Sequence, residues 1–166
     1  MRKIIIAVMA LTMSIAANAQ VPAYKIVQAE QVDLSGFKKE AKNYMQVFNG
    51  KDFTGWRGYG KKYVPARWTI DDGSIKINGS GTGEGQSKEG GDLIFAHQFK
   101  NFTLELEWKV AKGSNSGIFI LSQEVTTKDK DGKERYEPIY ISSPEYQILD
   151  NVNHPDALLG VDGNRK

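Results

Sequence analysis

Cysteine is missing from all 166 residues. With no disulfide to staple the chain and no thiol to take a lipid anchor, stability has to come from a packed core. Neither sign of charge is in excess: 22 basic residues face 20 acidic ones, and Arg2 and Lys3 at the extreme amino end make up the difference. A nucleic-acid or anionic-membrane partner leaves a basic excess or a clustered basic face, so neither is expected. Beyond Ile15 no apolar run approaches the roughly 20 residues that a spanning helix needs, so no membrane insertion is expected. Helical periodicity of useful length is absent after residue 43, as is any internal repeat, and the 17 glycines match no phosphate-binding fingerprint. Histidine is down to two, His97 and His154.

What is present begins with a leader. Arg2 and Lys3 precede an apolar run from Ile4 to Ile15, and Ala17-Asn18-Ala19 supplies the small-x-small pattern that signal peptidase cuts after. Residues 1–19 are therefore expected to be a cleaved signal peptide, and the product to be periplasmic or extracellular. Residues 20–43 are mixed and polar, with Val32, Leu34 and Phe37 too sparse to build an element. They read as a lead-in that packs on the domain edge or stays mobile. The domain itself is expected over residues 44–166, an ordinary size for one core.

After residue 43 the pattern is all β. Arg67 to Ile70 runs into Asp71-Asp72-Gly73, and Ser74 to Asn78 returns with period-2 alternation, which predicts a hairpin. Residues 79–91 hold six glycines among polar residues and are expected to be loop. Asp92 to Ala96 resumes as a strand. The clearest strand is Phe102 to Val110, with Phe102, Leu104, Leu106, Trp108 and Val110 facing a core and Thr103, Glu105, Glu107 and Lys109 facing water. Ser116 to Leu121 is a continuous apolar run, as for a strand covered on both faces. Thr126 to Glu137 is dense in charge around Gly132 and reads as a solvated hairpin tip. Seven or so short strands with glycine-rich turns predict an antiparallel sandwich or jelly roll.

The densest chemistry lies between Ser142 and Asp156. A strand from Pro144 to Leu149 puts Glu145 and Gln147 on one face and Tyr146 and Ile148 on the other. Asp150 falls where that strand gives way to a loop, and His154 lies four residues on. Each group has an ordinary alternative. Glu145 can be a solvated carboxylate, Asp150-Asn151 turn chemistry, and His154 a loop packing group. His97 is expected to be structural or exposed. Trp56, Tyr59 and Tyr63 suit either an aromatic platform for a sugar or a cap on the core edge. Glu105 and Glu107 suit either a glycosidase-type carboxylate pair or simple edge solvation.

Phe48-Asn49-Gly50-Lys51-Asp52-Phe53-Thr54-Gly55-Trp56, Trp68 to Ile75, Asn115-Ser116-Gly117-Ile118-Phe119-Ile120, Glu145 to Asn151 and His154-Pro155-Asp156-Ala157 occur in the order found in the 3-keto-disaccharide hydrolase family. The chain resembles that family over roughly residues 44–166. The resemblance implies a concanavalin A-like or laminin G-like jelly-roll sandwich, secreted by glycan-degrading bacteria. It also implies an enzyme acting on glycosides oxidised to a ketone at C3, by hydrolysis or by paired 1,2-lyase and hydratase steps, in some members with a divalent metal ion. Such a substrate needs a base for the acidified C2 hydrogen, an electrophile for the enolate oxygen and an acid for the leaving group, and a metal can serve as the electrophile. On that basis Glu145, Asp150 and His154 are the expected acid/base or metal-binding groups, with Gln147 and Asn115 binding the sugar.

Two departures stand out. Many relatives carry an arginine where this chain has Leu121, and relatives continue for several strands past Gly163-Asn164. An incomplete sandwich is therefore expected, either a fragment or a chain completed by another chain or by an oligomer. The alternatives to an enzyme are a non-catalytic glycan-binding jelly-roll module and an inactive truncated product.

Overall fold

The computed structural model of the protein describes residues 23–79 and 90–159. The expected signal peptide, most of the glycine-rich loop and the last seven residues lie outside the described residues. Nine short strands follow one another among the described residues: β1 (Lys25–Ile26), β2 (Trp56–Gly58), β3 (Trp68–Asp71), β4 (Ser74–Ile77), β5 (Leu93–Phe95), β6 (Asn115–Phe119), β7 (Val125–Lys128), β8 (Glu134–Tyr136) and β9 (Glu145–Leu149). Four 3-10 turns of three or four residues are the only helical elements among the described residues. The strands form antiparallel sheets of order β1-β7-β8, β2-β5, β3-β4 and β6-β9. The architecture is all-β and consistent with the expected jelly-roll sandwich.

Local chemistry explains the hairpins. Between β3 and β4 the two-residue turn Asp72-Gly73 has φ of 49° and 67°, the left-handed pair whose twist matches a two-residue hairpin. Trp68 lies opposite Ile77 and Asp71 opposite Ser74. Gly55, with φ of 85°, leads into β2 where a Cβ would come within 2.6 Å of the Phe37 ring and 2.8 Å of the Phe95 ring. Only glycine fits there. The space it leaves is filled by aromatic edges, Phe37 and Trp56 both meeting Phe95 at centroid distances of 5.3 and 5.4 Å.

The lead-in takes the first of its two expected forms. β1 adds a strand to β7, the Val32 amide donates to the Ala96 carbonyl at 2.7 Å, and Phe37 packs on β5.

The best-sewn region joins β2 to β7. Arg57 and Glu124 form a two-pronged ion pair at 2.6 and 2.7 Å, and the Gly60 amide adds a third donor to Glu124 at 2.6 Å. Tyr59, only 4% exposed, donates its hydroxyl to the Gln123 carbonyl and accepts from the Val125 amide. A buried carboxylate is tolerated because each charge is paired and hydrogen-bonded.

Two strand expectations need correction. Phe102 to Val110 joins no ladder among the described residues, and Phe102, Leu104, Leu106, Trp108 and Val110 are 39–54% exposed rather than core. The alternation specifies a ribbon with one apolar face, but a strand exists only where a second backbone pairs with it. The run from Ser116 is likewise not covered on both faces: β6 pairs with β9 alone, and Ile120 and Leu121 are 38% and 60% exposed. The expected hairpin at 126–137 is present as β7 and β8, yet only its tip is solvated. At its base Thr126, Thr127 and Glu137 are buried, and the Thr127 hydroxyl hydrogen-bonds Glu137.

Candidate functional site

β6 and β9 pair over five residues, with Asn115 opposite Leu149, Gly117 opposite Gln147 and Phe119 opposite Glu145. Period-2 alternation puts all six of these on one face and Ser116, Ile118, Tyr146 and Ile148 on the other. Ile148 is buried on that second face, and Tyr146 meets the Trp108 ring edge-on at 5.8 Å. The first face is polar at its centre. Gln147 crosses the ribbon on the diagonal and donates from Nε2 to Asn115 Oδ1. Glu145 crosses on the parallel diagonal, so that a Cβ placed on Gly117 would lie only 2.5 Å from its Cδ and 2.6 Å from its Cγ. A carboxylate and an amide pair thus lie side by side across a floor without a side chain.

The other end of β9 is built differently. Asp150 is 8% exposed, and its two oxygens accept from the Gly113, Val152 and Asn153 amides and from Asn153 Nδ2, at 2.7 to 3.1 Å. Those donors hold its carboxyl down to about 2, the Gly113 amide contributing most. The Asp150 carbonyl in turn accepts the His154 amide at 3.0 Å. His154 then caps the turn Pro155–Leu158, its Nδ1 accepting from the Asp156 amide at 3.2 Å. A ring whose Nδ1 accepts carries its proton on Nε2 when neutral.

Of the sequence-predicted residues, the structure brings Asn115, Glu145 and Gln147 together. Asp150 and His154 stand apart from them. Five residues of strand separate Glu145 from Asp150, about 16 Å at the usual rise per residue, and the alternation puts Asp150 on the opposite face. Asp150 performs the turn chemistry named as its alternative. His97 is structural, with Nδ1 at 3.1 Å from the Val32 carbonyl. Trp56 and Tyr59 belong to the core edge, Trp56 donating from Nε1 to the Val47 carbonyl at 2.8 Å. Glu105 accepts the Tyr44 hydroxyl at 2.6 Å.

The sequence reading gives Gly117 no role of its own, placing it only in an apolar run and in the Asn115-Ser116-Gly117-Ile118-Phe119-Ile120 motif. A glycine inside a strand is the signal that finds it, since it marks a close approach of other atoms. Leu121 has φ of 60° just past the end of β6, a conformation uncommon for a bulky residue.

A divalent metal does not fit these residues. Among the described residues no three of His, Cys, Asp and Glu gather closely enough to hold an ion, and the Asp150 oxygens are already occupied by four donors. The polar face can instead offer a carboxylate acceptor and amide donors to one small ligand.

Residues 43–164 match the family described as the 3-keto-alpha-glucoside-1,2-lyase-like domain. A Bacteroides thetaiotaomicron protein named 3-keto-disaccharide hydrolase is 63% identical over 142 residues, covering 86% of this chain and 49% of that protein. The chain spans about half the length of this curated relative. The match includes both strands of the polar ribbon and the turn that holds His154, and the chain belongs to the 3-keto-alpha-glucoside-1,2-lyase-like domain family.

Proposed function

We propose that the protein is an exported carbohydrate-active enzyme that cleaves 3-keto-glycosides. The observation that carries this reading is the Glu145 carboxylate lying beside the Gln147–Asn115 amide pair on one open face. A ketone at C3 acidifies the hydrogen on C2. Glu145 takes that proton, the electrons move into a C2–C3 enolate, and their return expels the C1 substituent to leave a C1=C2 double bond conjugated with the ketone. Adding water across that bond gives net hydrolysis. The Asn115 amide donates to the oxygen that carries the enolate charge, where a hydrogen bond strengthens as the charge develops. The departing group takes its proton from solvent on this open face, since His154 is held at the Asp150 end of the strand.

The amide pair by itself would suit a glycan-binding module. The adjoining carboxylate can take the C2 proton as well as accept a sugar hydroxyl, and the 63% identical relative is named a hydrolase, which favours an enzyme.

The working unit includes further polypeptide. The apolar face of residues 102–110, 39–54% exposed, supports cover by further β-structure. Aglycone release from a 3-keto-glucoside is the test, measured for this chain alone and mixed with a polypeptide equivalent to the relative's other half. Release that falls at least ~100-fold in Glu145→Ala, and less in His154→Ala, is the expected result. Equal release by wild type and Glu145→Ala removes Glu145 from the mechanism, and binding of the glycoside without any release favours the binding module.

A further inference from the structure

We infer that Gly117 is a positioning residue, a bare floor on which the Glu145 carboxylate lies. This rests on the reading of Glu145 as the base and adds how its reach is set.

Gly117 is directly opposite Gln147, so Glu145 reaches it only by crossing the ribbon on the diagonal. The Glu145 side chain then occupies the volume that a Cβ at 117 would fill, with Cδ at 2.5 Å and Cγ at 2.6 Å. Steric exclusion is the whole effect. Gly117 is not among the glycines with positive φ, so alanine meets no backbone strain there, and the atoms it would strike are the far end of a flexible side chain. Other glycines of the fold differ in this respect. At Gly55 and Gly60 the obstructing atoms are aromatic rings, and φ is 85° and 67°.

A glycine in mid-strand costs stability relative to alanine, because the unfolded chain is freer and no side chain packs. Its presence at 117 is therefore not explained by the fold. It is explained by the carboxylate that needs the space, a local sacrifice of stability for geometry. With alanine at 117, Glu145 must swing off the floor and away from the Gln147–Asn115 pair.

The test is Gly117→Ala alone and in a Glu145→Gln background. By nuclear Overhauser contacts in the free chain, Gly117 Hα lies close to Glu145 Hγ, and in Gly117→Ala the Glu145 carboxyl carbon resonance moves. The unfolding midpoint is unchanged or higher. Turnover of the 3-keto-glucoside by Gly117→Ala falls ~10- to 100-fold in kcat with KM changed less than about twofold, as expected for a misplaced catalytic group. In the Glu145→Gln background the same substitution has no further effect. Absence of the Gly117–Glu145 contact, an unmoved carboxyl resonance, or an equal loss of kcat in both backgrounds overturns the positioning role. Wild-type chain, with or without the completing polypeptide, that shows the contact but releases no aglycone overturns the reading of Glu145 as the base and leaves the seat itself intact.

Discussion

The carboxylates at the two ends of β9 stand in opposite settings. Asp150 is surrounded by four donors, nearly buried, and held at a pKa of about 2. Glu145 lies on an exposed face over a glycine. Saturated hydrogen bonding favours the ionised form so strongly that it removes basicity, so a carboxylate that clamps a loop is poorly suited to take a proton from carbon. On the proposed function, the contrast puts stability at one end of the strand and chemistry at the other.

The largest effect expected from that contrast is on turnover. Glu145→Gln lowers kcat by ~10²–10⁴, the usual range for a lost general base, and leaves the unfolding midpoint where it was. Asp150→Ala does the reverse. It leaves the Gly113, Val152 and Asn153 amides without their acceptor, so the thermal midpoint falls and protease cuts first within residues 150–154, as limited proteolysis would show. If Asp150→Ala lost activity with no loss of stability, the division between the two ends would be wrong.

Acid sharpens the same comparison. The folded carboxyl of Asp150 titrates at about 2, below the ~3.9 of an unfolded aspartate. Its contribution is therefore complete above about pH 4 and is lost as pH falls from there through about 2. Unfolding by urea at pH 5, 4 and 3 is expected to show wild type approaching the Asp150→Ala variant, and parallel curves would refute the clamp.

The smallest effects test a second pair of regions. Thr127→Val, which strips the hydroxyl from buried Glu137, costs about 1–3 kcal/mol. Leu104→Ser, on the exposed ribbon, changes the stability of this chain by less than about 0.5 kcal/mol while reducing binding of a hydrophobic dye. A large destabilisation by Leu104→Ser would mean that the ribbon is already covered.

That second pair also marks what could be read in advance. The charged segment from Thr126 to Glu137 keeps its expected solvated tip and is buried only at its base, whereas the alternating segment from Phe102 to Val110 is exposed where a core face was expected. Charge density located the tip of the first, but Thr126 and Thr127 are buried because β1 and β8 flank β7. Alternation identified the apolar face of the second, and burial depends on a neighbour that no local pattern names. The hairpin at Asp72-Gly73 was legible because its cause is local, two residues that tolerate positive φ. Glu145 and Gln147 sharing a face was legible for the same reason, since period 2 is a property of the strand itself. The role of Gly117 was not, because the side chain it accommodates belongs to another strand 28 positions on in the sequence.

By itself the sequence determined the all-β character, the turn positions and the faces of β9, each set within a few residues by backbone sterics and side-chain alternation. Only the tertiary structure decided that Asp150 clamps a loop, that Asn115 meets Gln147, and that Glu145 lies across Gly117. Those facts come from which strands pair and in what register, and register depends on segments far apart in the chain meeting in space.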